Sequence, residues 1–289
     1  MTTGRLIIRA PGGMTTIQDA GRIGSAFFAF PRCGVMDGQS AGLANVLVRN
    51  DRNAPVLECT LVAPRIEFQT SGCFALTGAD FGWQLDGRPV ERDRVIEVAA
   101  GNLLAGGKAI GGLRGYIAIG GKWLVERPLG SASSHVVTGL GANQGQQLQA
   151  GFKLEWEQPE TPPGSIGLVI SPGRRSREVI RMVRGPEFEW LDEKSKQLLS
   201  EKVFRVSPTS NRMGARLEGP ALSVDGKTLP ASVPVLPGMI QLTPSGQAIV
   251  VLQDGQTTGG YPRIGYVPRS ELDAFNQIVL GDKFRFVLL

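Results

Sequence analysis

Histidine is almost absent from this sequence: His135 is the only one in 289 residues. That excludes a zinc site built on several histidines and leaves a Ser-His-Asp triad a single candidate, set in the loop-like stretch Leu129–His135. Cysteine is scarce as well. Cys33, Cys59 and Cys73 are odd in number, widely spaced and form no Cys-x-x-Cys, which argues against zinc or redox motifs. Cys59 and Cys73 lie in apolar, strand-like runs and read as small core residues. No run approaches the ~20 apolar residues of a membrane helix. The opening Met1–Arg5 leads into a strand without a secretory apolar region, so the expectation is a cytoplasmic protein with no membrane contact. A Gly-x-Ser-x-Gly elbow is missing. Asn102–Ala109 falls short of a P-loop, because Asn102 stands at the first glycine position and Ala109 at the final Ser/Thr position. ATP chemistry therefore falls to a partner or to an unfamiliar site.

Glycine and proline are plentiful, at 39 and 19 residues, while charged residues make up only 20%. They punctuate many short apolar runs, a pattern of β-rich architecture. The runs are Arg5–Arg9, Val56–Leu61, Arg65–Gln69, Cys73–Thr77, Arg94–Val98, Leu113–Ile119 and Phe152–Trp156. A second set comprises Ile166–Ile170, Val179–Val183, Val203–Val206, Met239–Leu242, Ala248–Leu252 and Lys283–Leu288. Three helices are expected: Gly38–Arg49 capped by Asp37, Glu187–Glu201 started by Pro186, and Glu271–Ile278 with Ser270 and Asp273 as a capping pair. Gln158–Gly164 reads as a linker, which divides the chain into residues 1–175 and 176–289. The fold class is thus mainly β with a few short helices, in two domains. The net charge of +5 is densest at Arg174, Arg175, Arg177, Arg181 and Arg184. No aromatics interleave there, so the patch reads as a solvated face or a surface for anionic partners, not a nucleic-acid site.

Four polar constellations could carry chemistry. Asp254–Pro262 follows the apolar run Ala248–Leu252 and has no hydrophobic face of its own. Its glycines, hydroxyls, amide and carboxylate suit a small polar ligand held at a strand end. Within it Gln256, Thr257, Thr258, Gly259, Gly260 and Tyr261 are candidate substrate-binding residues. The second constellation is the loop Ser207–Leu217, where Asn211 offers a neutral donor and acceptor and Arg212 a fork for oxygen ligands. The third is Thr15–Arg22 followed by Gly34–Asp37, with Asp19 and Arg22 either binding a ligand or bridging to each other. The fourth is Leu76–Asp80, which sets Asp80 at a strand end. Asp19, Asp80 and Asp254 can serve as general bases only if burial raises a pKa.

Taken in order, these segments resemble the biotin-dependent carboxyltransferase-like family. That family includes the C component of bacterial ATP-dependent 5-oxoprolinase, part of urea amidolyase (also called allophanate hydrolase subunit 2), and an antagonist of a sporulation kinase inhibitor. The matching residues are Thr16–Arg22, Gly34–Asp37, Ala44-Asn45, Leu76–Asp80, Arg184–Glu187, Ser210–Gly214 and Asp254–Pro262. The chain departs from the family pattern at Lys122-Trp123-Leu124, at Ala132 where an arginine is usual, and at Phe152.

The resemblance implies a cyclophilin-like barrel in the second half, a B-subunit homologue and an A subunit as partners, and a small amide or lactam as substrate. It implies 5-oxoproline hydrolysis through phosphoryl activation of the lactam carbonyl and water attack, with ATP handled by the assembled complex and the chain inactive alone. Asp254, Asn211 and Arg212 would then be catalytic. Asp80, Asp19 and Arg22 would join the substrate-binding set, and no metal is called for. Two alternatives remain open: half of a biotin-dependent carboxyltransferase acting on urea or a related amide, with biotin on a partner, or a non-catalytic antagonist of a kinase-inhibitor protein.

Overall fold

The computed structural model describes residues 2–160 and 178–289. The chain divides into two compact units, Met1–Arg22 with Cys33–Gly173 and Ile23–Arg32 with Arg174–Leu289. The expected strand Ile166–Ile170, part of the linker, and Arg174, Arg175 and Arg177 lie outside the described residues. As expected, the chain is mainly β, with three α-helices among the described residues.

The first unit holds β1 (Thr3–Ala10), β2 (Met14–Gln18), α1 (Gly38–Leu47), β3 (Val56–Thr60), β4 (Arg65–Phe68), β5 (Gly72–Asp80), β6 (Gln84–Leu85) and β7 (Arg88–Pro89). It continues with β8 (Val95–Val98), β9 (Leu103–Ala105), β10 (Ile110–Ile119), β11 (Lys122–Trp123) and β12 (Lys153–Glu157). They make a seven-stranded sheet, β11-β12-β1-β4-β9-β6-β7, and a five-stranded one, β2-β3-β10-β5-β8. Side chains alternate across a strand, and that alternation lets the five-stranded sheet bury both faces. Phe74, Leu76, Ile117 and Ile119 join Leu6, Ile8, Phe68 and Leu154 of the other sheet in one core. Their neighbours Cys73, Ala75, Tyr116 and Ala118 pack on Ala41, Ala44 and Leu47 of α1. Helix α1 starts where Asp37 accepts from Ser40 N at 3.0 Å and from Ser40 Oγ at 2.6 Å, a cap that contributes about 1 kcal/mol.

The second unit holds β13 (Val179–Arg184), α2 (Glu193–Glu201), β14 (Val203–Val206), β15 (Gly214–Glu218), β16 (Val233–Pro234), β17 (Met239–Leu242) and β18 (Ala248–Val251). After them come β19 (Thr258–Gly259), β20 (Arg263–Tyr266), α3 (Arg269–Phe275) and β21 (Lys283–Leu288). Seven strands close a barrel in the order β13-β20-β17-β18-β15-β14-β21, and β16 with β19 forms a separate ribbon. The closing seam is parallel, Val179 facing Arg285 and Met182 facing Leu288.

Two helices differ from the sequence expectation. Glu187–Glu201 is not continuous: a 3-10 turn covers Phe188–Trp190, and α2 begins after Asp192, whose carboxylate accepts from Ser195 N at 2.6 Å. Asp192 is the better cap, and Glu187 is drawn away to Arg263. Helix α3 starts at Arg269 behind Pro268, not behind a Ser270–Asp273 pair, because the proline's fixed φ sets the boundary. The expected loop Ser207–Leu217 is shorter than its sequence suggests. Gly214–Glu218 is a strand, with Ala215 and Leu217 buried on alternate positions.

Candidate functional site

In the second unit the loop after β18 is anchored at both ends by an arginine–carboxylate pair. At its start, Arg212 Nε lies 2.8 Å from Asp254 Oδ2 and Nη2 lies 3.0 Å from Oδ1, with side-chain exposures of only 7% and 6%. The backbone laces the same two loops: Asp254 N donates to Arg212 O at 3.0 Å and Leu252 N to Met213 O at 2.9 Å. Gly255 permits this approach, since a Cβ there would stand 2.8 Å from Met213 O. Asn211 holds the facing turn, its Oδ1 accepting from Met213 N at 2.8 Å and Gly214 N at 3.3 Å. At the far end, Arg263 Nη2 and Nε meet Glu187 Oε1 and Oε2 at 2.8 and 2.9 Å, and Arg263 Nη1 donates to Pro234 O at 3.0 Å. Burial alone would raise the Glu187 carboxyl, but the side-chain and main-chain hydrogen bonds of Arg263 outweigh it and hold that group below the usual glutamate range.

Between these anchors Thr258 and Gly259 pair with Pro234 and Val233. Thr257 O accepts from Val235 N at 2.8 Å. Tyr261 is 42% exposed, and Gly260 faces open space. The Gln256 amide donates to Gln241 Oε1 at 3.2 Å. Gln241 itself is buried in β17. Its position inside the apolar run Met239–Leu242 marks it in the sequence only as a strand residue. The arrangement presents hydroxyls and amides along the loop, while the charges of Asp254 and Arg212 are turned onto each other.

In the first unit Asp19 is an acceptor hub. Ser131 Oγ donates to it at 2.5 Å, Ser133 Oγ at 2.6 Å, Ala132 N at 2.7 Å and Gly21 N at 2.9 Å. Arg22 Nη2 donates to Ser133 O at 2.5 Å. The Ser131–Ser133 stretch, with Ala132 at its centre, thus wraps around Asp19. His135 closes the same region: its Nδ1 lies 2.7 Å from Thr138 Oγ1, and its backbone N donates to Leu140 O. Asp80 stands apart, accepting from Gly82 N at 2.9 Å with Arg92 Nε at 3.6 Å. Sequence reasoning passed over a further buried group, Glu58. It accepts from Met36 N at 2.8 Å and Tyr116 Oη at 3.0 Å, while Tyr116 Oη accepts from Asp37 N at 2.8 Å. Burial, with the charges of Glu58 and Asp37, pushes the Tyr116 phenol far above its usual range, so it stays a neutral hydrogen-bonding post. Only its charge within the apolar run Val56–Leu61 hinted at this role.

The site candidates therefore fall into two sets. Asp254, Asn211, Arg212 and Gln256–Tyr261 belong to the second unit, and Asp19, Arg22 and Asp80 to the first. The P-loop-like stretch offers no phosphate cradle. Leu103–Ala105 is a strand paired with β4 and β6, and another strand follows it where a P-loop requires a helix N-terminus. The residues there do not fit ATP.

The chain is similar to the C subunit of 5-oxoprolinase from Escherichia coli (strain K12), with 36% identity over 97% of this chain and 90% of that protein. It is 31% identical to the urea amidolyase of Lachancea kluyveri over 97% of this chain but only 17% of that protein. The crystal structure of the Kluyveromyces lactis urea carboxylase superposes with a TM-score of 0.90 at 26% identity, over 99% of this chain and 27% of that one. The last two relatives are thus several times longer than this chain. A match also extends over residues 28–288 to one family. With its closed barrel, its ordered loops and these relatives, the chain belongs to the carboxyltransferase domain family, subdomains A and B.

Proposed function

We propose that this chain is the C component of an ATP-dependent 5-oxoprolinase that opens the lactam of 5-oxoproline to glutamate. The observation that carries the reading is extent together with identity: the 36% match spans 97% of the chain and 90% of the Escherichia coli C subunit. A B-subunit homologue and an A subunit complete the assembly, which is cytoplasmic, and the chain is inactive alone. ATP is handled by the assembled complex, and the P-loop-like stretch of this chain does not fit it. This chain holds the substrate. Gln256–Tyr261 and Asn211 orient the lactam at the barrel's rim, and the Arg212–Asp254 pair anchors the start of that loop. Asp19, Arg22 and Asp80 stay substrate-binding candidates of the first unit. The test is a three-component assay with ATP and 5-oxoproline: glutamate forms with all three subunits and is lost when this chain is omitted. Full activity without it refutes the reading.

A second reading draws on the TM-score of 0.90 to a urea carboxylase. In it the chain is half of a carboxyltransferase acting on urea or a related amide. In this reading biotin is carried by a partner. Urea-dependent turnover with a biotinylated partner, and none with 5-oxoproline, selects it.

A further inference from the structure

Under the β16–β19 ribbon lies a donor with nothing to donate to. Gln241 is 2% exposed. Its Oε1 accepts from Gln256 Nε2 at 3.2 Å, yet its own Nε2 is buried without a hydrogen-bond partner among the described residues. Ile240 and Leu242, its neighbours along β17, point to the opposite face. Gln241 therefore stands on the side of the barrel wall that the ribbon covers. Gly259 of β19 is what covers the amide: a Cβ at that position would lie 2.7 Å from Gln241 Nε2, 3.3 Å from Val235 Cγ2 and 3.5 Å from Gln256 Nε2. Gly259 does not adopt a left-handed backbone, so its lack of a side chain serves the space around the amide and not the turn.

A buried amide donor left unsatisfied costs about 1–3 kcal/mol. The closed ribbon carries that cost, and the ribbon itself is slight, two residues pairing with two. An acceptor oxygen entering beneath it would recover the lost hydrogen bond. We propose that Gln241 is a substrate-binding residue whose Nε2–H donates to the carbonyl or carboxylate oxygen of a small amide or lactam admitted under the β16–β19 ribbon, beside Gly259. The inference rests on the reading of Asp254–Tyr261 as a substrate loop and adds to it a floor residue and a moving cover. Gln256, already bonded to Gln241, brings a second amide to the same spot.

The experiment uses the reconstituted three-subunit assembly with 5-oxoproline as probe. Gln241→Met removes the donor with little change of volume. KM should rise about three- to tenfold with kcat within about twofold of wild type, because a neutral hydrogen bond made equally in ground and transition states is uniform binding. The same substitution removes an unsatisfied polar group, so the melting temperature of the subunit should hold or rise. A merely structural glutamine would instead lower it. Gly259→Ala should raise KM by filling the space beside the amide, since its Cβ would meet only side-chain atoms. Gln241→Glu keeps the acceptor, loses the donor and should lose more affinity than Gln241→Met. An assembly that needs this chain for activity, yet keeps its KM within twofold in both Gln241→Met and Gly259→Ala, overturns the inference and leaves the functional reading standing. Activity that persists without the chain overturns both.

Discussion

Removal of the Asp254 carboxylate tests whether the loop is held by charge pairing. In the native fold both of its oxygens accept from Arg212, at 2.8 and 3.0 Å, and both side chains are more than nine-tenths buried. Breaking a buried arginine–carboxylate pair by removing one member costs about 3–5 kcal/mol. The backbone bond from Asp254 N to Arg212 O survives in Asp254→Ala, so the lower end of that range is expected. Two measurements read it: urea unfolding, and hydrogen exchange at the Leu252 amide, whose bond to Met213 O ties the same loops. An apolar pair, Asp254→Leu with Arg212→Met, should recover most of the loss, because it removes both desolvated charges together. A double variant that costs the sum of the two single ones would refute the coupling, as would Asp254→Ala costing less than about 1 kcal/mol. Activity divides the roles further. If the apolar pair restores stability and turnover together, Asp254 acts by positioning the loop. If stability returns and turnover does not, Asp254 takes part in the chemistry.

The other anchor gives a pH signature. Arg263 holds the Glu187 carboxyl below its usual range, so the pair's stabilisation is present above about pH 4.3 and is lost as pH falls through the depressed folded value. Glu187→Gln should flatten the acid limb of stability below about pH 4.3 while lowering stability at neutral pH, as read by melting temperature against pH. The thiols should be silent. Burial pushes Cys73 up to about 11 and Cys59 higher still, and Cys33 is also buried. Iodoacetamide at neutral pH should therefore label the native chain negligibly and all three cysteines once it is unfolded. Fast native labelling would contradict the core placement.

Strands with an apolar period were legible in the sequence; strands with buried polar residues were not. Met14–Gln18 buries Thr15, Thr16 and Gln18, which carry no apolar alternation. Gly214–Glu218 opens on a glycine and turns Arg216 and Glu218 outward. In Arg263–Tyr266, Gly265 breaks the pattern, the space of its missing side chain being filled by Met182 and Ile240. The polar loops were visible as composition, but their pairings were not. Arg212 meets Asp254 across 42 residues and Arg263 meets Glu187 across 76, separations set by barrel closure. Gln241 was hidden for the same reason. Its burial depends on a ribbon contributed by Val233-Pro234 and Thr258-Gly259, not on its own neighbours. Ala132 illustrates the converse: the sequence marked it as a departure, and the structure gives its backbone N–H a role as donor to Asp19.

The parallel seam has a consequence for how the second unit comes into being. β21 lies between β13 and β14, pairing with β13 in parallel and with β14 antiparallel. It is the last of the barrel's strands to be synthesised, and the strand it closes against is the first. Until it emerges, β13 and β14 each present an unpaired edge, open to other chains. Contacts between such distant segments also form slowly. On a translating ribosome the barrel must therefore wait as an open sheet, and a chaperone or a partner subunit that shields those edges would act before the fold exists.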